Sequence, residues 1–148
     1  MRWRYSAEDS SMSRDAAGFS LIELLVVMVV VAVLAGIAYP MYTNHLKRSH
    51  RADARAELLR MQMAVEKQRL TTLGAKPAVP SNWATAPGVA KHYQLSLQPN
   101  GAQDYALIAR VLPGDGQNDD RQGDASCAVL TIRVQGLESH HESAACWQ

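Results

Sequence analysis

The sequence predicts an α+β fold in which one long N-terminal helix packs on a small antiparallel sheet. Apolar residues fill the chain from Phe19 to Ala38 and then continue as a stripe at helical spacing, whereas short alternating segments appear only after residue 92. An amphipathic helix and a sheet with one solvent-exposed face each need a partner that covers their apolar surface. We therefore expect the two elements to pack together as layers.

The first half of the helix is an apolar segment of membrane-spanning length. Residues 19–38 read FSLIELLVVMVVVAVLAGIA and carry one charge, Glu23. A helix of this length is ~30 Å long, about the thickness of the hydrocarbon core of a bilayer. The run is longer than the ~7–15 apolar residues of a secretory signal peptide, and the YPMY that follows offers no small-x-small cleavage site. We expect the segment to be retained.

The second half of the helix is predicted to be amphipathic, from about Met41 to Thr71. Pro40 precedes it and is expected to kink the axis. We expect the basic residues, among them Arg51 and Arg55, to lie on the flanks and the far face of this half. Its apolar stripe, with spacings of four, three and four residues, consists of Ala54, Leu58, Met61 and Val65.

The remaining chain is predicted to form a loop and then a small sheet. Residues 73–91 are rich in proline, glycine and alanine, which favours a loop. Alternating apolar residues predict strands over residues 93–97, 105–112 and 127–134, with three or four antiparallel strands in all. One face of this sheet would cover the apolar stripe of the helix.

Composition and motifs exclude most enzyme and metal-protein classes. The chain has 148 residues and a net charge of +1, which argues against a dedicated nucleic-acid binder. It contains no G-x-S-x-G, P-loop, H-E-x-x-H or dinucleotide-binding glycine pattern, so we expect neither catalysis nor a cofactor. His140 and His141 do not combine with Cys127 and Cys146 in a zinc spacing, and a solvated histidine pair in a loop is expected. The acidic segment at residues 115–124 lacks the EF-hand order and is expected to be a polar loop.

The segment GFSLIE, which begins at Gly18, resembles the class III signal of type IV pilins when it is followed by such an apolar run. The resemblance implies that prepilin peptidase cleaves after Gly18 and methylates the new N-terminal Phe19. It also implies that Glu23 pairs with the N-terminal amine of a neighbouring subunit during assembly. The physics is consistent with this, since an amine and a carboxylate that are each costly in lipid become tolerable when they meet.

Further positions resemble PilE-like minor pilins. They are the RADA segment at residues 51–54, the DASC segment that ends at Cys127, and Cys146-Trp147. The family's glycine after the first of these cysteines is replaced by Ala128. The resemblance implies a type IV pilin fold with a leader at residues 1–18, a transmembrane or filament-core helix at 19–39, and a head at 40–148. Within the head we expect helix to residue 72, loop at 73–91, and the sheet with a disulfide-closed region at 92–148.

The two cysteines are expected to form a disulfide, because the implied export would carry them to an oxidising compartment. Such a bridge between Cys127 and Cys146 would add about 3 kcal/mol of stability. Two separate buried thiols are the alternative. The basic residues after the span, such as Lys47 and Arg48, would place the head in the cytoplasm by the positive-inside rule. The cysteines and the resemblance indicate the periplasm instead, and we follow them.

The resemblance implies a minor pilin, made as an inner-membrane prepilin and then assembled with other pilins into a filament at the cell surface. Its implied partners are those major and minor pilins, prepilin peptidase and the pilus assembly machinery, and its implied roles are pilus biogenesis, twitching motility and adhesion. A type II secretion pseudopilin, a DNA-uptake receptor and a single-span envelope protein without an assembly role are the alternatives. Leaders of the family are commonly short and basic; neither start gives a net basic leader, but translation from Met12 would give a short one, which favours Met12 over Met1.

Charge is segregated along the chain. Residues 47–69 hold seven basic and three acidic side chains, a net of +4, whereas residues 100–148 hold three basic and seven acidic, a net of −4. We expect unlike faces of successive subunits to meet in a filament, with Arg51 and Arg55 contributing to that contact. Because the head is acidic outside the helix, we do not expect DNA to be a partner.

Overall fold

The structure, a computed structural model, describes residues 19–72 and 74–148. The chain divides into two compact units, with the boundary between Ala38 and Tyr39. The leader expected at residues 1–18, including the cleavage residue Gly18, lies outside the described residues.

The first element is a long helix, α1, at Leu21–Thr71. Every residue from Phe19 to Tyr42 is exposed, and by length and composition this helix can cross a bilayer. Pro40 lies inside α1, and the helix continues past this residue without a break. The expected kink at Pro40 stays a prediction.

The head unit begins with the second half of α1, which presents the predicted apolar stripe. Four residues of that stripe are 0–2% exposed: Ala54, Leu58, Met61 and Val65. The prediction of an amphipathic half is therefore confirmed, and its last helical residue is Thr71, as expected.

The sheet of the head has four antiparallel strands in the order β1-β2-β5-β6. Their bounds are Tyr93–Pro99 for β1, Tyr105–Val111 for β2, Val129–Gln135 for β5 and Glu138–Glu142 for β6. A second, two-stranded sheet pairs β3 at Arg121–Gln122 with β4 at Ala125–Ser126. A four-residue helix, α2, at Pro87–Ala90 precedes β1, and 3₁₀ turns occupy Gly116–Asp119 and Ala144–Trp147.

The strand register places one apolar face of the sheet on the helix stripe. Tyr93 is opposite Val111, and Leu107 of β2 is opposite Ile132 of β5. These residues belong to one buried cluster with the stripe of α1, so helix and sheet share a single core. The predicted α+β fold is confirmed.

Two local differences from the sequence-based expectations have simple causes. The segment predicted as a loop contains α2, which begins at Pro87, a residue that favours the first turn of a helix. The fourth strand, β6, reads ESHHE and is exposed at every position, so it carries no apolar alternation that could reveal it.

Candidate assembly segment and head surface

The N-terminal end of α1 displays the residues that the sequence marks for processing and assembly. Ser20 immediately precedes the helix, and its carbonyl oxygen accepts hydrogen bonds from the backbone N–H groups of Glu23 and Leu24 at 3.0 and 3.2 Å. Phe19 is 81% exposed. Glu23 lies in the first turn, where the positive end of the helix dipole favours a carboxylate. Its side chain forms no ion pair with any residue that the structure describes.

Pro40 creates a local defect in the hydrogen bonding of α1. It has no N–H to donate to the carbonyl oxygen one turn earlier. Its own carbonyl oxygen accepts a hydrogen bond from the hydroxyl of Thr43 at 3.1 Å. This side-chain bond is of the kind that bends helices and competes with the backbone ladder.

A buried ion pair fastens α1 to the C-terminal part of the head. Nη1 of Arg51 donates to both carboxylate oxygens of Asp120 at 3.2 and 3.1 Å, and Nη2 donates to Oε1 of Gln122 at 3.0 Å. Gln117 completes the cluster, since its amide donates to Asp120 and to the carbonyl oxygen of Lys47. Arg51 is only 2% exposed, so its assignment to the outer surface of the helix was wrong. It cannot be a contact between subunits.

The same region is closed by a disulfide. Cys127 and Cys146 are bonded, which confirms the expected bridge, and both are completely buried. The backbone N–H of Cys127 donates to the carbonyl oxygen of Asp120 at 2.9 Å, so the ion pair and the disulfide support the same loop. Nearby, the guanidinium of Arg55 donates to the backbone oxygen of Gln148 at 3.0 Å.

The histidine pair lies in strand β6 and not in a loop. Both side chains are exposed: His140 is 3.5 Å from a carboxylate oxygen of Glu138, and His141 stacks on Trp147 with ring centroids 4.0 Å apart. Trp147 in turn donates its indole N–H to the carbonyl oxygen of Glu142 at 3.0 Å. Among the described residues, no group of three histidine, cysteine or acidic side chains is arranged to hold a metal ion.

A second histidine pair is a feature that the sequence does not reveal. His50 of α1 stacks on His92 with ring centroids 3.9 Å apart, and Nδ1 of His92 lies 2.9 Å from a carboxylate oxygen of Asp115. Burial alone would raise the pKa of Asp115, but the backbone N–H of Gln117 and the His92 ring hold it below its usual value. The spacing of these residues along the chain carries no signal of this contact.

A groove runs between α1 and the loop at residues 80–84. Near the groove, Glu57 of α1 accepts hydrogen bonds from Nε of Arg60 and from the backbone N–H of Ala86, each at 2.8 Å. Arg60 also lies over the ring of Trp83, with its guanidinium carbon 3.9 Å from the ring centroid. Trp83 therefore packs the loop onto the helix. The sequence did not predict the groove. The one signal that could have indicated it is an isolated tryptophan, Trp83, in a loop rich in proline and alanine.

Much of the acidity of the head is engaged inside the molecule. Of the seven acidic residues after position 100, five accept a hydrogen bond or lie close to an arginine or histidine side chain within the described residues: Asp104, Asp115, Asp120, Glu138 and Glu142. Several cations of the head have no carboxylate partner there, namely Lys47, Arg48, Lys67, Lys76, Lys91, Arg110 and Arg121. The count of charges along the chain therefore overstates how acidic the surface is.

Comparisons with known proteins identify the family. Residues 40–131 match the family model described as "Type IV minor pilin ComP, DNA uptake sequence receptor". The chain belongs to the type IV minor pilin family. Residues 13–39 of this pilin also match the prokaryotic N-terminal methylation motif. As a pilin, the chain is a structural subunit of a filament and not an enzyme.

Curated relatives of the pilin are fimbrial subunits. It is 28% identical over 134 residues to a type IV major fimbrial protein FimA of Dichelobacter nodosus, covering 88% of this chain and 84% of the relative. A second FimA from the same organism is 41% identical over 49 residues, 33% of this chain and 31% of that relative. No solved structure matches the chain at a significant level.

Proposed function

We propose that this pilin is cleaved after Gly18, methylated at Phe19, and assembled into a type IV pilus as a minor subunit. The match of residues 13–39 to the methylation motif supports the processing step. The exposed, unpaired carboxylate of Glu23 in the otherwise uncharged segment at residues 19–38 is the observation that carries the assembly step.

The argument for Glu23 is energetic. A carboxylate near the end of a spanning helix costs up to ~2.5–3.5 kcal/mol if it has no partner. The amine of a processed Phe19 on the neighbouring subunit carries the opposite charge and an equal need for a partner. Bringing the two together during assembly offsets both costs and sets the register between successive helices.

Pro40 has a supporting role in this proposal. The missing backbone hydrogen bond makes the helix around residue 40 easier to bend or to unwind locally than the rest of α1. We propose that this freedom lets the apolar half of the helix adapt when it moves from the bilayer into the filament core.

The proposed route begins in the inner membrane with the head in the periplasm. The disulfide supports this side of the membrane, because structural disulfides persist in oxidising compartments. Prepilin peptidase, the assembly machinery and other pilins are the proposed partners. Twitching motility and adhesion are proposed as roles of the filament.

A second role, binding of duplex DNA, is favoured by the family match. The matched model is described as a DNA uptake sequence receptor, and it covers most of the head. We therefore revise the expectation that DNA is not a partner. Cations without a carboxylate partner support the revision, since phosphate contacts dominate affinity for DNA and most of the head's acidic groups already have partners.

One experiment tests processing, export and assembly together. Filaments are sheared from cells that express the pilin, and the digest is searched by mass spectrometry for a peptide that begins at N-methylated Phe19. We expect this peptide in the sheared fraction. Its presence in membranes alone would favour a secretion pseudopilin, and the absence of any cut after Gly18 would refute the proposal.

DNA binding is tested separately with the full chain in detergent micelles and labelled duplexes across a salt series. The logarithm of the binding constant should fall with the logarithm of the salt concentration, by about 0.9 for each phosphate contacted. Alanine at a contributing cation such as Lys91 or Arg110 should reduce that slope by about one contact. Arg69→Ala, which removes a cation already paired with Glu66, should not change it. Wild-type binding that is absent, or independent of salt, would exclude the receptor role.

A further inference from the structure

The turn between β1 and β2 contains an asparagine that is followed by glycine. The chain has four asparagines, and Asn100 is the one of them that precedes a glycine, Gly101. Asparagine is among the thermolabile residues of proteins. Its loss begins when the backbone nitrogen of the next residue attacks the side-chain carbonyl carbon, and a glycine places no side chain in the way of this attack. Whether Asn100 reacts in the folded protein depends on how freely these two groups can meet.

The fold leaves both reacting groups without a competing contact. Residues 100–103 are exposed, and the backbone N–H of Gly101 donates no hydrogen bond to any residue that the structure describes. The side-chain amide of Asn100 has no hydrogen-bond partner among those residues either. Gly101 has a φ of +107°, a conformation that is open chiefly to glycine, and apart from its chain neighbours no atom lies within 4 Å of the place where a Cβ would be. The approach of the nitrogen to the side chain is therefore not crowded.

The other three asparagines are as exposed as Asn100, but each is restrained. Asn44 lies within α1, where the helical hydrogen bonds hold the backbone N–H groups. Asn82 is followed by Trp83, whose N–H already donates to a carbonyl oxygen of the loop at 2.9 Å. The side-chain amide of Asn118 donates to the carbonyl oxygen of Asp115 at 3.1 Å. Exposure therefore does not single out Asn100, whereas the following glycine and the absence of restraining bonds do.

We propose that Asn100 is a site of spontaneous deamidation in the folded protein. The backbone nitrogen of Gly101 loses its proton to solvent and forms a bond to Cγ of Asn100. The bond from Cγ to the side-chain nitrogen breaks, and ammonia leaves. Water then opens the cyclic imide at either of its carbonyl carbons, which restores the backbone N–H and gives aspartate or isoaspartate. One water is consumed for each ammonia released, so the reaction needs no oxidant and no enzyme.

The reaction alters the turn that positions Asp104. The backbone N–H of Asn100 donates to the carbonyl oxygen of Asp104 at 2.8 Å, and Oδ1 of Asp104 accepts from the backbone N–H of Gly136 at 2.9 Å. The turn between β1 and β2 is thereby tied to the turn between β5 and β6. Both products add a carboxylate here, and isoaspartate also adds a carbon to the main chain, so the bond to Gly136 should weaken. This inference depends on neither the filament role nor the DNA role.

The test follows the full chain in detergent micelles during incubation in a mildly alkaline buffer, beside the same chain in denaturant. Samples are digested with an acid protease, because acid slows the attack, and the peptides are analysed by mass spectrometry. We expect the peptide that contains Asn100 to gain the mass of an amide-to-carboxyl conversion at similar rates in both samples. The peptides with Asn82 and Asn118 should stay unchanged in the folded sample. Asn100→Gln is the control that should remove the reaction from this turn.

The backbone amide of Gly136 reports the structural consequence in spectra of the ¹⁵N-labelled protein. Its resonance should shift and its hydrogen should exchange faster in the fraction that contains isoaspartate, while Asn100→Gln keeps the wild-type resonance and Asn100→Asp shows the effect of charge alone. Three results would overturn the proposal: a gain of mass at Asn100 in denaturant but not in the folded chain, a gain that does not grow with time, or an equal gain at Asn82. An unchanged Gly136 amide in the modified fraction would refute the weakened bond between the turns.

Discussion

Arg51 and Asp120 form an ion pair that is almost closed to solvent, with Nη1 3.1 Å from a carboxylate oxygen and side chains 3% and 4% exposed. The two residues are 69 positions apart in the sequence. Their contact joins the helix to the loop that leads into the disulfide. Because Gln117 and Gln122 also bond to the pair, its stability depends on several side chains meeting at once.

Removing one partner of this pair should be more damaging than removing both. Arg51→Met leaves Asp120 as a buried charge without a partner, which we expect to lower the free energy of unfolding by about 3–5 kcal/mol. The double variant with Asp120→Leu should recover most of that loss. Denaturant unfolding of the full chain in detergent micelles measures both. Arg55→Met is the matched control and should lower the free energy of unfolding by less than about 1 kcal/mol. If Arg51→Met lowers it by no more than this control, the ion pair with Asp120 does not stabilise the head.

The stability of the head should depend on pH through Glu57. The hydrogen bond from Arg60, aided by that from the backbone of Ala86, lowers the pKa of Glu57 against the opposing effect of burial. A carboxyl group whose pKa is lower in the folded state stabilises the fold above its unfolded pKa of about 4.3, and this contribution disappears as the pH falls through the folded value.

Glu57→Gln should therefore flatten the loss of stability in acid. The variant keeps an acceptor for the N–H of Ala86 but loses the charge, so its free energy of unfolding should fall less steeply below about pH 4.3. Asp115, whose pKa is also lowered, should account for part of the dependence of the free energy of unfolding on pH that remains in this variant. Asp53→Asn, at an exposed site, should retain the wild-type profile. Parallel profiles for Glu57→Gln and the wild type would show that the bond to Arg60 adds no stability.

Opening the disulfide should lower stability by about 3 kcal/mol, because the bridge closes a loop of moderate length in the unfolded chain. The two cysteines are 19 positions apart. Thermal unfolding of the variant with both Cys127→Ser and Cys146→Ser, against wild type with and without reductant, measures the effect. A reductant that destabilises the double variant as much as the wild type would point to a cause other than this bond.

Assembly should be sensitive to Glu23 and insensitive to its neighbours on the helix. Glu23→Ala removes the proposed partner of the Phe19 amine, and we expect at least about a tenfold loss of the pilin from sheared filaments, given the cost of an unpaired charge in an apolar setting. Ser20→Ala, close by at the helix start, serves as the control. Quantitative immunoblots of membrane and sheared fractions separate failed assembly from failed expression. Normal incorporation of the Glu23 variant would show that assembly does not depend on pairing between Glu23 and the Phe19 amine.

The sequence was most informative where periodicity or a compact motif carried the signal. The stripe from Ala54 to Val65 and the strands β1, β2 and β5 follow from spacing alone, because burial of one face imposes it. The pairing of Cys127 with Cys146 followed from there being two cysteines and an expected export.

The sequence was least informative where function depends on contacts between distant segments. Arg51 was misplaced because a charged residue beside an apolar stripe is usually solvated, and its partner lies in a loop without periodicity. The stacking of His50 on His92 and the groove at Trp83 depend on how the helix and the loops meet. Charge counts failed for the same reason, since they do not record which charges face one another.

The loop between Asp115 and Cys127 is anchored at one point by the ion pair of Asp120 and at its end by the disulfide. Around these anchors, Asn118, Asp119, Arg121, Gly123 and Asp124 are exposed. The residues that hold the loop in place are thus different from those it displays. Selection can therefore alter the displayed residues, and with them the surface that the head presents, while the residues that hold the loop in place stay the same.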